Sequence, residues 1–168
     1  MLFETTVPQF IKILGQLNQL IEKSETYAQA KKFDMEVLLN ARLAPDQFHF
    51  IRQVQIACDT AKLGVSRLTG QEAPSHADQE KTAAEVKERI HSTINYLKKF
   101  SAKDFTGADE KHIKTPRWED QYLTGFDYVQ HHVLPNFYFH VTTAYSILRH
   151  NGVEVGKKDY LGALPFKK

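Results

Sequence analysis

A single cysteine, Cys58, excludes any intrachain disulfide in these 168 residues. It also excludes the small cysteine-stapled scaffolds of secreted proteins. No apolar run approaches the ~20 residues that span a bilayer as a helix. Charge of one sign is missing too. Lys and Arg number 22 against 20 Asp and Glu, and the formal excess of +2 is too small to imply a nucleic-acid partner. The N-terminal stretch MLFETTVPQF has neither the cationic start nor the apolar centre of a secretory signal, so a cytoplasmic location is expected. The chain carries no glycine-rich phosphate loop, no G-x-S-x-G elbow, no H-E-x-x-H and no C-x-x-C. Internal repeats and low-complexity tracts are likewise missing. What remains is ordinary globular composition, with 42% apolar and 25% charged residues. One domain over residues 1–168 is expected.

The dominant pattern is helical. Phe10, Ile13, Leu14, Leu17, Leu20 and Ile21 recur at helical spacing. Thr5 or Thr6 would cap this first helix, with Pro8 in its first turn and Lys31 near its end. Residues 34–42 read as a helical turn or two. A second long helix is predicted over 45–69. Its opening is Ala44-Pro45-Asp46, its stripe Phe48, Ile51, Val54, Cys58, Ala61, Val65 and Leu68, and its stop Gly70. The stretch 71–80 reads as a polar loop. A third helix is predicted over 82–100, with Val86, Ile90, Ile94 and Leu97 inward. Residues 101–125 lose the helical period, and a short hairpin of 112–115 with 121–124 is expected there. A short helix over 126–133 and a last long helix over 135–150 complete the chain. Four long amphipathic helices with mostly short connections predict an all-α four-helix bundle decorated by one small β-hairpin.

Polar residues on inward faces are the candidates for chemistry. His140 falls among Phe137, Val141 and Ala144, with Asn136 one turn earlier on the same face. An imidazole in that company requires a hydrogen-bond partner or a metal. A partner on the second helix or in 126–136 is expected. His49 sits near the start of the second helix, off the centre of its stripe. His131 and His132 are adjacent, so at most one can face a cleft. His76 and His112 read as solvated loop residues, His91 as a rim residue, and His150 as a cation at a helix C-terminus. Cys58 lies on an inward stripe and reads as a small packing residue. Arg42 and Asp46 flank the start of the second helix and are expected to pair. Tyr145 and Arg149 follow His140 along the last helix, and Arg149 is available to an acid.

Three stretches carry a family resemblance: PNFYFHVTTAYSILRHNGVEVGKKDYLG at 135–162, ARLAPDQFHFIRQVQIACDTAK at 41–62 and SRLTG at 66–70. They resemble, in order, the helical family DUF1993, a domain of unknown function within the DinB/YfiT-like superfamily that includes metalloenzymes. The resemblance implies a DinB-like four-helix bundle, assembled as a homodimer. It implies that the tail containing Lys157, Lys158 and Asp159 docks on the bundle.

The superfamily's metal site takes one histidine from the second helix and an H-x-x-x-H pair from the last. Aligned on Leu148-Arg149, His140 matches the second histidine of that pair. Asn136 stands at the first, and Gln55 or Ile56 stands at the second-helix position. Amides are poor ligands for zinc or nickel. No metal or other cofactor is therefore expected, unless His49 or His132 completes the site. The resemblance leaves a polar pocket in its place, lined by His140, Asn136, Gln55, His49, Tyr145, Arg42 and Asp46. A small molecule is its expected ligand, with no nucleic-acid or membrane partner. Two other functions stay open. One is a metal-dependent enzyme of the thiol-dependent transferase or isomerase type. The other is an interaction module acting through its dimer surface.

Overall fold

The structure, a computed structural model, describes residues 1–167. Four long helices form one bundle around a continuous apolar core. α1 spans Leu2–Lys31, α3 Phe50–Thr69, α4 Ala83–Leu97 and α6 Leu134–His150. α2 (Met35–Leu39), α5 (Gly125–Tyr128) and α7 (Lys157–Leu161) are short. The fold class read from periodicity is the one observed. Among the described residues no helix is long and apolar enough to cross a membrane.

α1 buries Phe10, Leu14, Leu17 and Ile21 completely, as their spacing requires. Its start differs from the expectation. The helix begins at Leu2, and Thr5 and Thr6 are inside it. Their hydroxyls donate back to the Leu2 carbonyl, at 3.2 and 2.6 Å, instead of capping. α2 is capped by Asp34, whose carboxylate accepts from the Glu36 amide at 2.8 Å.

The second long helix also starts later than predicted, at Phe50 rather than near Pro45. Ala44–Gln47 form a tight turn, closed by the Gln47 amide on the Ala44 carbonyl. Proline pre-sets such a turn as readily as a helix start. Phe48, expected on the buried stripe, therefore precedes the helix and is 53% exposed. Gly70 ends α3 in the left-handed region, at φ 80°, and its amide returns to the Ser66 carbonyl.

α4 opens on a capping box. Thr82 Oγ1 accepts from the Glu85 amide, and the Glu85 carboxylate accepts from the Thr82 amide. It ends at Leu97, short of Phe100, which is nevertheless buried edge-on to Tyr96. The expected hairpin is present and shorter than the predicted ranges. β1 (His112–Ile113) pairs antiparallel with β2 (Leu123–Thr124).

The segment before α6 is α5 followed by a widened π turn at Val129–Val133. The sequence predicted a plain helix there. Pro135 has no N–H, and its ring conflicts with the carbonyl four residues earlier. A widened turn just ahead of it relieves that conflict. α5 is pinned to the loop at Ala108. A Cβ on Gly125 would lie 1.8 Å from the Ala108 carbonyl oxygen, so only glycine fits. α6 packs mainly on α3, and Phe10 of α1 meets Phe137 at 4.5 Å between ring centroids. α7 docks on α1, where Lys23 pairs with Asp159.

Candidate functional site

α3 and α6 splay enough, beneath the 115–118 loop, to leave a cleft of about 510 Å³. Its wall opposite α3 is a polar line at four-residue spacing: His132 from the π turn, then Asn136 and His140 from α6. Its α3 wall carries Arg52, Ile56, Asp59, Thr60, Leu63 and Arg67. Thr115–Trp118 and Tyr128 close one end, and Phe48 flanks the other.

His140 is only 8% exposed, and its partner is on α3, as a buried imidazole demands. Nδ1 lies 2.7 Å from Gln53 Oε1. The Gln53 amide nitrogen donates to the Phe48 carbonyl at 2.9 Å, so its oxygen must face the imidazole. An amide oxygen only accepts. Nδ1 therefore carries the proton, and the Nε2 lone pair has no hydrogen-bond partner among the described residues. Burial, reinforced by the Arg52 charge, pushes His140 down to about 4, so the ring is neutral near pH 7.

Asn136 donates to Thr60 Oγ1 at 2.7 Å, and Thr60 donates in turn to the Ile56 carbonyl at 2.7 Å. This relay fixes the amide and leaves its carbonyl oxygen free. At the far end Arg67 donates to the Tyr128 hydroxyl at 2.8 Å. Tyr128 stacks on His132 with centroids 5.5 Å apart, and Trp118 meets both rings edge-on. Burial and the Arg67 charge lower the His132 pKa, so this imidazole is also held toward neutrality.

A charged network backs the α3 wall. The Arg89 side chain, 1% exposed, bonds Asp59 at 2.8 Å, Asp78 at 2.6 Å and Glu80 at 2.9 Å. Lys62 is also buried and reaches Asp59 at 3.0 Å and the Pro74 carbonyl at 2.9 Å. Arg52 pairs with Asp78 at 2.7 Å. Partial burial favours the neutral carboxyls of Asp78 and Glu80, but the facing guanidiniums hold both below the usual range. His76, expected to be solvated, is half-buried here. Its Nδ1 accepts from Lys62 at 2.6 Å and its Nε2 faces Ser92 at 3.1 Å.

The remaining sequence candidates go elsewhere. Gln55 does not join Asn136 and His140. It faces the opposite flank of α3, accepting from Arg52 at 3.0 Å and donating to Glu80 at 2.8 Å. Gln53 takes its expected place. Arg42 and Asp46 are exposed and do not pair; Arg42 donates to the Gln47 carbonyl at 2.6 Å. His49 is half-buried at the N-cap of α3, outside the cleft lining. Tyr145 turns toward α7, where it meets Tyr160 edge-on and the Val155 carbonyl. Arg149 is exposed, with no ion pair among the described residues. Cys58 is fully buried, and burial pushes its thiol up to about 12.

The donors present do not fit a three-histidine metal centre. Among the described residues no three His, Cys, Asp or Glu side chains converge as such a centre needs. His132 lies eight residues before His140, roughly 12 Å along a helix axis, too far to share one ion. Asn136 is engaged by Thr60, and Ile56 offers carbon.

Sequence reasoning missed Arg67, Thr60, Asp59, Arg52, Trp118 and Tyr128 as cleft residues. The first four share one signal, a polar line at helical spacing on the flank of the α3 apolar stripe. Trp118 has none, because an irregular loop brings it in.

Residues 2–161 match the model of the family described as domain of unknown function (DUF1993). The crystal structure of a DinB family member protein from Shewanella denitrificans is 59% identical, with a TM-score of 0.97. That match covers 100% of this chain and 96% of the other. No match is found among curated proteins.

Proposed function

We propose, starting from a chain that belongs to the DUF1993 family and has a DinB-like bundle, that its cleft binds a small organic molecule directly, with no resident transition metal. The observation that supports this reading is the pair of hydrogen bonds across the cleft, Asn136 to Thr60 and His140 to Gln53. The first ties up the side chain standing at one histidine position. The second orients the His140 imidazole so that Nε2 offers a neutral acceptor to the cleft. With the free Asn136 carbonyl, that makes two fixed acceptors between apolar and aromatic walls. Such a composition is typical of small-molecule sites.

The rival metal-dependent thiol chemistry has less support. One imidazole alone is a poor anchor for zinc or nickel, and Cys58 is no thiolate. A homodimer and a cytoplasmic location belong to the same proposal. The family resemblance supports the first. The single buried cysteine supports the second.

Elemental analysis of untagged protein tests the central claim. Metal far below one ion per chain is expected. One zinc, nickel or iron per chain, lost in His140→Ala, overturns the reading.

A further inference from the structure

The charges around the cleft are not evenly matched. Asp59 is neutralised by Arg89 and Lys62 behind the α3 wall. Arg52 is neutralised by Asp78. Arg67 is different. Its one hydrogen-bond partner among the described residues is the Tyr128 hydroxyl, which burial keeps in its neutral form. A half-buried guanidinium thus stands without a counter-charge beside Trp118, Tyr128 and His132.

We propose that the cleft takes a small organic carboxylate, its anionic head on the Arg67 guanidinium and its apolar body against Trp118 and Leu63. This proposal rests on the direct-binding reading of the cleft. A planar carboxylate can accept two parallel N–H bonds from one guanidinium. A phosphate dianion would need a second cation. Arg52 already has its carboxylate, and Arg117, the other lining cation without an ion pair among the described residues, is solvent-exposed where Arg67 is half-buried. The aromatic wall then covers a ring or alkyl body, and the acceptors Asn136 Oδ1 and His140 Nε2 suit a hydroxyl or amine farther along it.

Trp118 is the sole tryptophan of the chain, so its indole N–H reports on this cleft alone. The experiment is an NMR titration with phenylacetate, phenylacetamide and inorganic phosphate, run on protein treated with chelator. Phenylacetate is expected to shift the Trp118 indole and the Arg67 guanidinium signals. Arg67→Gln should weaken it by about tenfold or more, and Arg67→Lys by less, because charge survives while the fork is lost. Phenylacetamide shifting the same signals equally well overturns the proposal. So does unchanged affinity in Arg67→Gln, tighter binding of phosphate, or no shift at all. Should Arg67→Gln not fold, Arg67→Lys and the wild-type comparison of acid with amide decide. Stoichiometric metal together with Arg67-dependent binding would sink the metal-free reading and leave this one standing. Metal-free protein that ignores phenylacetate would do the reverse.

Discussion

Gln53 and His140 are joined at 2.7 Å across the α3–α6 interface, 87 residues apart in the chain. The bond does two things. It satisfies a polar ring and a polar amide that are both almost wholly buried, and it selects the tautomer that points a lone pair into the cleft. Gln53 is itself held by the Phe48 carbonyl, so the turn ahead of α3 takes part in orienting a histidine on α6.

This burial makes stability pH-dependent. The folded pKa of His140, about 4, lies below the ordinary 6.5. Above about pH 6.5 the neutral ring carries no penalty. As pH falls from there toward 4, the unfolded chain takes up a proton that the folded one refuses. Stability should fall, by at most about 3 kcal/mol from this group. Urea unfolding near pH 7.5 and pH 4.5 measures the loss, and His140→Gln should lessen it. An NMR titration that protonates His140 at an ordinary histidine pKa would refute the account.

Arg89 is the knot of the network that ties the 74–80 loop to α3 and α4. Arg89→Met leaves Asp59, Asp78 and Glu80 facing one another without their shared cation. A loss of about 2 kcal/mol is expected, since Glu80 is left without a cation while Asp59 keeps Lys62 and Asp78 keeps Arg52. Arg89→Lys should also lose stability, because one ammonium cannot reach three carboxylates in a fork. Denaturant midpoints check both. A loss under about 1 kcal/mol would mean that the loop is held by other contacts.

Gly125→Ala should be among the most damaging single changes. The added methyl meets backbone, not a mobile side chain, at a distance no real contact tolerates. A loss of several kcal/mol, on the order of other severe core changes, is expected. Because α5 carries Tyr128, Trp118 fluorescence should change with it. Wild-type melting behaviour in this variant would refute the close approach.

Cys58 should be inert in the folded protein. Burial and the raised thiol pKa both suppress thiolate. A disulfide reagent such as Ellman's should modify it only as fast as the protein unfolds. Rapid labelling under native conditions would reopen thiol chemistry at this residue.

The helices were legible because each buries one stripe, and a stripe leaves its period in the sequence. Their ends were less so. Thr5 and Thr6 look like caps in isolation, yet Leu2 is completely sheltered by the fold, and that draws the helix past them to the N-terminus. Pro45 suits a helix start and a tight turn equally. The choice is made by the Phe50 ring, which is fully buried and sets where α3 begins.

By itself the sequence determined the all-α bundle and the inward position of His140. These follow from local period and residue type. Only the tertiary structure decided that Gln53, not Gln55, meets His140. The two lie two positions apart on α3 and so point about 200° apart, and which of them meets His140 depends on which side of α3 the last helix packs against. It also decided that Arg67 has no ion-pair partner among the described residues. Charge balance in a cleft depends on which acids the rest of the fold has already engaged, and Arg89, distant in sequence from Asp59, engages both it and Asp78.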